Sequence, residues 1–260
     1  MACANVVLFL ICCQSNAPHT KTELVASTNT VQAGKSFQVA LHMTMAPEWH
    51  SYYINPGESG QATTIKWHLP AGFKAGPIQW PVPKRNVLGG VAAYVYEHEA
   101  WLVTDITPPA NLALGQKVHI GADISWLLCQ EVCVPQKSAL SLELATNDNP
   151  VPNPRFDSAK KALPTKLNPS LIRAYAKKDA VRLRFKTDLF PASGLEFYPS
   201  DAKYFGADPH PLEHTKSGMN LVIPLSKYAP GIPKHVSGIL VVPSGNAKGA
   251  HWIDVQVTEP

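Results

Sequence analysis

The chain has 260 residues, 45% hydrophobic and 16% charged, with a formal net charge of +4. That length holds one large domain or two small ones with separate cores, and ample apolar content with little net charge excludes general disorder. Residues 1–150 carry 8 Lys/Arg against 10 Asp/Glu and residues 151–260 carry 15 against 9, scattered along the chain. The dense basic stripe interleaved with aromatics that nucleic acid requires is missing, so no nucleic-acid partner is expected.

The first element is a leader. Residues 4–13, Ala-Asn-Val-Val-Leu-Phe-Leu-Ile-Cys-Cys, form a short apolar core followed by a polar stretch, the pattern of a secretory signal. No Lys or Arg precedes that core. Leu10-Ile11-Cys12-Cys13 is loosely similar to a bacterial lipoprotein cleavage site, which makes Cys12 or Cys13 a candidate lipid anchor, although Ile11 is larger than the small residue such sites carry. Residues 1–20 are therefore expected to be a signal peptide or lipoprotein leader. No later apolar run approaches the ~20 residues of a membrane-spanning helix. The mature protein is expected to be exported and not integral to the membrane.

Strand patterns follow. With 24 Pro and 16 Gly the chain is punctuated at short intervals, which favours short strands over long helices. Phe37, Val39, Leu41, Met43 and Met45 alternate with polar residues; so do Ile65, Trp67 and Leu69, then Val118, Ile120, Ala122, Ile124 and Trp126, then Leu140, Leu142 and Leu144. Tyr94-Val95-Tyr96 and Trp101-Leu102-Val103 add two candidates. Period-two alternation between turns predicts half-buried antiparallel strands in an all-β sandwich. Residues 147–170 break it: a Pro-rich, semi-rigid linker, with two helical turns expected from Phe156 to Leu163, stopped by Pro164. Strands resume at Val181/Leu183/Phe185, Leu195/Phe197, Leu221-Val222-Ile223, Ile239 to Val242 and Ile253/Val255/Val257. The expectation is a domain over 21–146, the linker, and a second, smaller β-sandwich over 171–260 that serves as support or spacer.

Five cysteines occur, three of them in the leader; Cys129 and Cys133 remain, four positions apart. Extended chain of that length spans ~13 Å, whereas disulfide Cα atoms lie ~4.4–6.8 Å apart, so bonding requires a turn between them. So small a ring removes little entropy from the unfolded chain and is a poor staple, and a short exposed ring is easier to reduce. Redox use is favoured over a structural bond. The C-x3-C spacing is not that of zinc modules, and His98 and His119 are remote in sequence, so no metal site is expected.

Four segments then come in one order: Trp49-His50-Ser51-Tyr52-Tyr53-Ile54-Asn55-Pro56-Gly57-Glu58-Ser59-Gly60; Pro77-Ile78-Gln79-Trp80-Pro81-Val82-Pro83; Tyr94-Val95-Tyr96-Glu97; and Ser125-Trp126-Leu127-Leu128-Cys129-Gln130-Glu131-Val132-Cys133-Val134-Pro135. Together, over roughly residues 23–145, they resemble the N-terminal periplasmic domain of the thiol:disulfide interchange protein DsbD, especially its ScsB-like branch. The second half is similar, more softly, to the extra β-domain of that branch.

The resemblance implies an immunoglobulin-like sandwich with a redox cysteine pair at one end. It implies a thiol:disulfide oxidoreductase that takes electrons from a thioredoxin-like domain or protein, itself fed by a membrane electron-conducting domain. The acceptors it implies are periplasmic disulfide isomerases or cytochrome c maturation thioredoxins. Cys133 would form mixed disulfides and Cys129 would resolve them. Tyr52 and Tyr53 match tyrosines that line the family's site, with strand packing as the competing account. A cap loop would fall at Trp80 to Gly90, with Val82 and Leu88 as covering side chains and Gly89-Gly90 as a hinge. Glu131 would raise a neighbouring thiol pKa or stand as a solvated turn charge. No nicotinamide or flavin motif is present, so no cofactor is expected and electrons must come from another protein. The sequence ends at Glu259-Pro260 without membrane helices or a thioredoxin-like Cys-x-x-Cys; the expectation is either a free-standing relative with separately encoded donors or a fragment of a longer gene.

Two rivals stand beside this reading. One is a non-catalytic interaction module with a structural disulfide. The other is a periplasmic copper-handling protein, from His42-Met43-Thr44-Met45, since thioether and imidazole suit copper; Met43 and Met45 also share the face of Phe37, Val39 and Leu41, which favours core packing.

Overall fold

The computed structural model describes residues 15–17, 19–185, 190–191, 193–215, 218–244 and 248–259, with the backbone alone for 15–17 and Leu88. Cys12 and Cys13 lie outside the described residues. In chain order the first half contains β1 (Ser15–Ala17), β2 (Thr20–Ala26), β3 (Thr30–Val31), β4 (Phe37–Met45), β5 (His50–Gly57), β6 (Thr64–His68), β7 (Lys74–Gln79), β8 (Lys84–Leu88), β9 (Val91–Glu97), β10 (Glu99–Thr107), β11 (Lys117–Cys129) and β12 (Cys133–Thr146). These make two sheets, β1-β2-β4-β10-β7 and β3-β12-β11-β5-β9-β8, with β6 on β11.

The alternating residues do what their period requires. Val39 and Leu41 of β4, Ile120 and Ile124 of β11 and Leu140 and Leu142 of β12 meet between the sheets in one core, each fully buried side chain contributing about 1.5–3 kcal/mol. β2 lacks a clean apolar pattern because buried Thr20 and Thr22 occupy inward positions; the Thr22 hydroxyl donates across the sandwich to Ser138 Oγ at 3.5 Å.

The segment read as a linker is docked. A turn at Pro154–Phe156 leads into α1 (Asp157–Ala162), and buried Phe156 and Ala159 pack on Val25, Ala40, Trp101 and Val103, the outer face of the five-stranded sheet. Arg155 Nη2 and His42 Nδ1 both reach Glu23 Oε1, at 2.7 and 3.1 Å. Burial opposes the Glu23 charge, but these hydrogen bonds outweigh it and hold the carboxyl below its ordinary range. His42 stacks on Trp101 on this outer face, 3.7 Å between centroids, while Met43 and Met45 are buried in the core on the other; the imidazole and the thioethers therefore do not converge.

The second half contains β13 (Thr165–Lys166), β14 (Ile172–Lys177), β15 (Ala180–Phe185), β16 (Glu196–Pro199), β17 (Leu212–Thr215), β18 (Gly218–Pro224), β19 (His235–Val242) and β20 (Gly249–Thr258). The order is β16-β19-β20-β14-β15-β18-β17, with β13 on β20. The whole is an all-β, two-domain, immunoglobulin-like fold. Val236, Leu240 and Val242 of β19 face the second core, whereas Ile239 and Val241, with Tyr198, Ala250 and Trp252, join the core of the first sandwich. The β16-β19-β20 end of this sheet is thus covered on both faces, which is why β19 reads Ile-Leu-Val-Val without alternation.

Candidate functional site

β11 and β12 form a hairpin in continuous register from Lys117↔Ala145 to Cys129↔Cys133. Directly opposed residues of an antiparallel pair share a face, and the two sulfurs are bonded, with Cα atoms 4.1 Å apart. Residues 130–132 close the tip, the Gln130 amide donating to the Val132 carbonyl at 3.2 Å. The cysteines are not equivalent. Cys129 has His50 of β5 as its partner on the other side and is 1% exposed, packed with Tyr52, Ala93, Val95 and Leu127. Cys133 lies toward the sheet edge, since β3 meets β12 only at Ala145 and Thr146. It is exposed between the exposed side chains of Val132 and Val134.

Behind Cys133 runs a short polar chain. Tyr52 Oη is 3.8 Å from Cys133 Sγ and His50 Nε2 is 3.3 Å from Tyr52 Oη. Burial lowers the His50 pKa, against the pull of Glu97, and burial raises that of Tyr52. A neutral imidazole with its proton on Nε2 donates to the phenol oxygen, leaving the phenol hydrogen for sulfur. Gly60, at φ +105°, lies under the Tyr52 ring, and a Cβ there would run into the ring carbons; only glycine lets the ring settle. Beside the tip a groove is lined by Glu48, His50, Asn86, Glu97, Gln130 and Glu131. The Gln130 amide donates to Glu48 Oε2 at 2.8 Å, tying the tip to the turn before β5. Glu131 is exposed on that tip.

The remaining expected site residues are distributed otherwise. Tyr52 and Tyr53 are adjacent in one strand, so their side chains leave by opposite faces. Tyr53 is fully buried in the main core, edge-on to Trp80 and Tyr94, and does not join the cluster around Cys129. Trp80 is 4% exposed and stacks on Tyr96. Val82 faces a recess with Pro81, Trp101 and Ala162. The stretch expected as a cap loop holds an edge strand, β8, antiparallel to β9. Gly89 and Gly90, at φ +58° and +85°, make the two-residue turn with both φ positive that closes a hairpin, so they form a tight turn where a hinge was expected. Leu88 pairs with Val91; its side chain lies outside the described residues. Asn86 of β8 lines the groove instead.

The second domain reaches the back of this sheet, which the sequence reading missed. Tyr53 Oη donates to the Tyr198 carbonyl at 3.5 Å. Buried Asn55 donates through Nδ2 to the carbonyls of Pro199 and Phe205, each at 3.0 Å. Arg85 Nε donates to the Ala207 carbonyl at 2.6 Å, and Tyr94 packs edge-on to Tyr198 at 5.4 Å. Among the described residues no group of three or more His, Cys, Asp or Glu is placed to hold a metal ion, and no helix is long and apolar enough to cross a membrane.

Comparison with known proteins adds the following. Residues 21–145 match the family model described as thiol:disulfide interchange protein DsbD, N-terminal. The N-terminal periplasmic domain of ScsB from Proteus mirabilis superposes with a TM-score of 0.67 at 16% identity, covering 95% of this chain and 98% of that one. The reduced N-terminal domain of DsbD from Neisseria meningitidis is also found, at 16% identity and a TM-score of 0.29, over 50% of this chain and 90% of that one. Among curated proteins none matches. Residues 21–145, with their cross-strand cysteine pair, are a DsbD N-terminal-like domain, a thiol:disulfide interchange module.

Proposed function

We propose that the protein is a periplasmic thiol:disulfide oxidoreductase, a relay that draws electrons from a thioredoxin-like donor and passes them to periplasmic disulfide proteins. The observation that carries this reading is the asymmetry of the pair: Cys133 exposed between two valines, Cys129 buried behind it. In the reduced protein the Cys133 thiolate attacks one sulfur of a partner disulfide, forming a mixed disulfide and expelling the partner's other sulfur as thiolate. The Cys129 thiolate then attacks Cys133 Sγ, closing the internal bond and releasing the partner's second thiolate. Two electrons leave this protein, and two protons follow them onto the partner. The donor, a thioredoxin-like domain fed by a membrane electron-conducting domain, runs the same steps in reverse. Disulfide isomerases and cytochrome c maturation thioredoxins are the acceptors of this reading. The Tyr52 hydroxyl is within reach of the Cys133 thiolate as a donor, and a hydrogen bond to the charged form favours it.

Trapping tests the proposal. Reduced Cys129→Ser protein mixed with an oxidised thioredoxin-like protein is expected to accumulate a mixed disulfide through Cys133 that dithiothreitol dissolves. The Cys133→Ser protein is expected to form none. Failure of the Cys129→Ser protein to be captured by any thioredoxin-like donor or acceptor would leave a structural disulfide.

A further inference from the structure

We propose that the second domain is a working part of the redox site, with Asn55 and Arg85 as positioning residues; this rests on the relay reading above. Three neighbouring strands, β5, β9 and β8, form one end of the cysteine-bearing sheet. On one face they present Tyr52, Ala93 and Val95 to Cys129 and Asn86 to the groove beside the hairpin tip. On the other they present Tyr53 and Asn55 of β5, Tyr94 of β9 and Arg85 of β8 to the second domain. Each strand carries a site-facing residue immediately beside or near a clamped one.

The clamp has a uniform chemistry. All four polar contacts are donated by side chains of the first domain and accepted by backbone carbonyls of residues 198–207 in the second. Backbone acceptors inside a folded sheet and turn cannot swing away as side chains do, so they fix the donors' strands rather than merely touching them. Asn55 is buried completely and its Oδ1 also accepts from the Gly57 amide at 3.0 Å, so its amide is held at both ends. Gly57, at φ +87°, brings the strand close enough that a Cβ would meet Ala207 and the Ala92 carbonyl at 2.8 Å. The Tyr52 phenol, three residues from Asn55 on the same strand, has its hydroxyl set against Cys133. Loosening the clamp therefore lets the phenol drift from sulfur.

The experiment follows alkylation of Cys133 by iodoacetamide at neutral pH in the reduced Cys129→Ser protein with both domains present, read at that residue by mass spectrometry. Losing the Tyr52 hydrogen bond lowers the thiolate fraction, so Tyr52→Phe is expected to slow alkylation by about threefold. Asn55→Ala and Arg85→Ala are expected to slow it similarly, and to add little in a Tyr52→Phe background, because both act through the phenol. Leu221→Ala, in the second core away from the clamp, destabilises the same domain and is expected to leave the rate unchanged. Exposed Arg85 keeps the test available if Asn55→Ala fails to fold. Rates equal to the parent in folded Arg85→Ala, or full slowing in Leu221→Ala, overturn the positioning role. Failure of the relay reading shows separately, as a parent disulfide that thioredoxin-like proteins do not reduce.

Discussion

The two sandwiches use their sheets differently. In the first, one sheet projects a hairpin whose last cross-strand pair is Cys129 and Cys133, and the strands beside it divide their faces between the sulfurs and the neighbouring domain. In the second, the β16-β19-β20 end of the sheet is apolar on both faces: one holds its own core, the other lies on the first domain through Ile239, Trp252 and Tyr198. A sheet end with exposed sulfur is available to a partner. A sheet covered on both sides is available only to what it already holds. The contrast directs the search for the second domain's contribution to the contacts of residues 198–207.

The hardest way to break the contrast is at the sulfurs. Cys133→Ser is expected to abolish exchange with a disulfide partner while leaving the thermal unfolding of both domains in place, since so small a ring adds little stability. Next comes the shared face. Ile239→Ala is expected to cost about 2–4 kcal/mol by opening a cavity between the domains, read as a lower denaturation midpoint with both cores affected; a change confined to the second domain would mean that the two unfold independently.

Acid sharpens the same boundary. His210, in the cleft with Lys84, Arg85 and Tyr198, is held neutral by burial, its pKa lowered to about 4 from 6.5, with Arg85 adding to the effect and a hydrogen bond to the Phe197 backbone opposing it. A histidine whose folded pKa is depressed binds its proton more readily when unfolded, so the stability it supports is complete above the unfolded value. It is lost as pH falls from about 6.5 toward 4. That loss is expected to be about 3 kcal/mol at most, checked by denaturant unfolding across the range, and a His210→Gln protein should lack this part of the pH dependence. The smallest effect belongs to the exposed Lys117–Glu143 pair, 2.8 Å apart on the outer hairpin. Lys117→Ala is expected to change stability by no more than about 0.5 kcal/mol, with exchange rates unaltered.

Much of this was legible in the sequence. Alternation at 37–45, 117–126 and 138–144 marked strands because inward positions there are apolar, and the cysteine spacing required a turn. β2 was not legible, because Thr20 and Thr22 fill inward positions with hydroxyls. The pair Tyr52-Tyr53 carried no sign of which ring meets sulfur; the strand's pleat decides that. The clamp was invisible for a chemical reason: its acceptors are backbone carbonyls, which any residue supplies. The one available signal was the unbroken apolar run from Ile239 to Val242, a strand buried on two faces. The edge strand at Lys84–Leu88 was hidden by its charged and polar side chains, although Gly89-Gly90 is a turn pair suited to a hairpin.

The most direct measurement is the equilibrium of the Cys129–Cys133 bond in the folded protein against a graded thiol:disulfide buffer, quantified by alkylation and mass. The account predicts a reversible two-electron transition at a potential above about −300 mV, within reach of thioredoxin-like donors. A bond that stays oxidised until well below that value, or that yields only when the fold is lost, would contradict it.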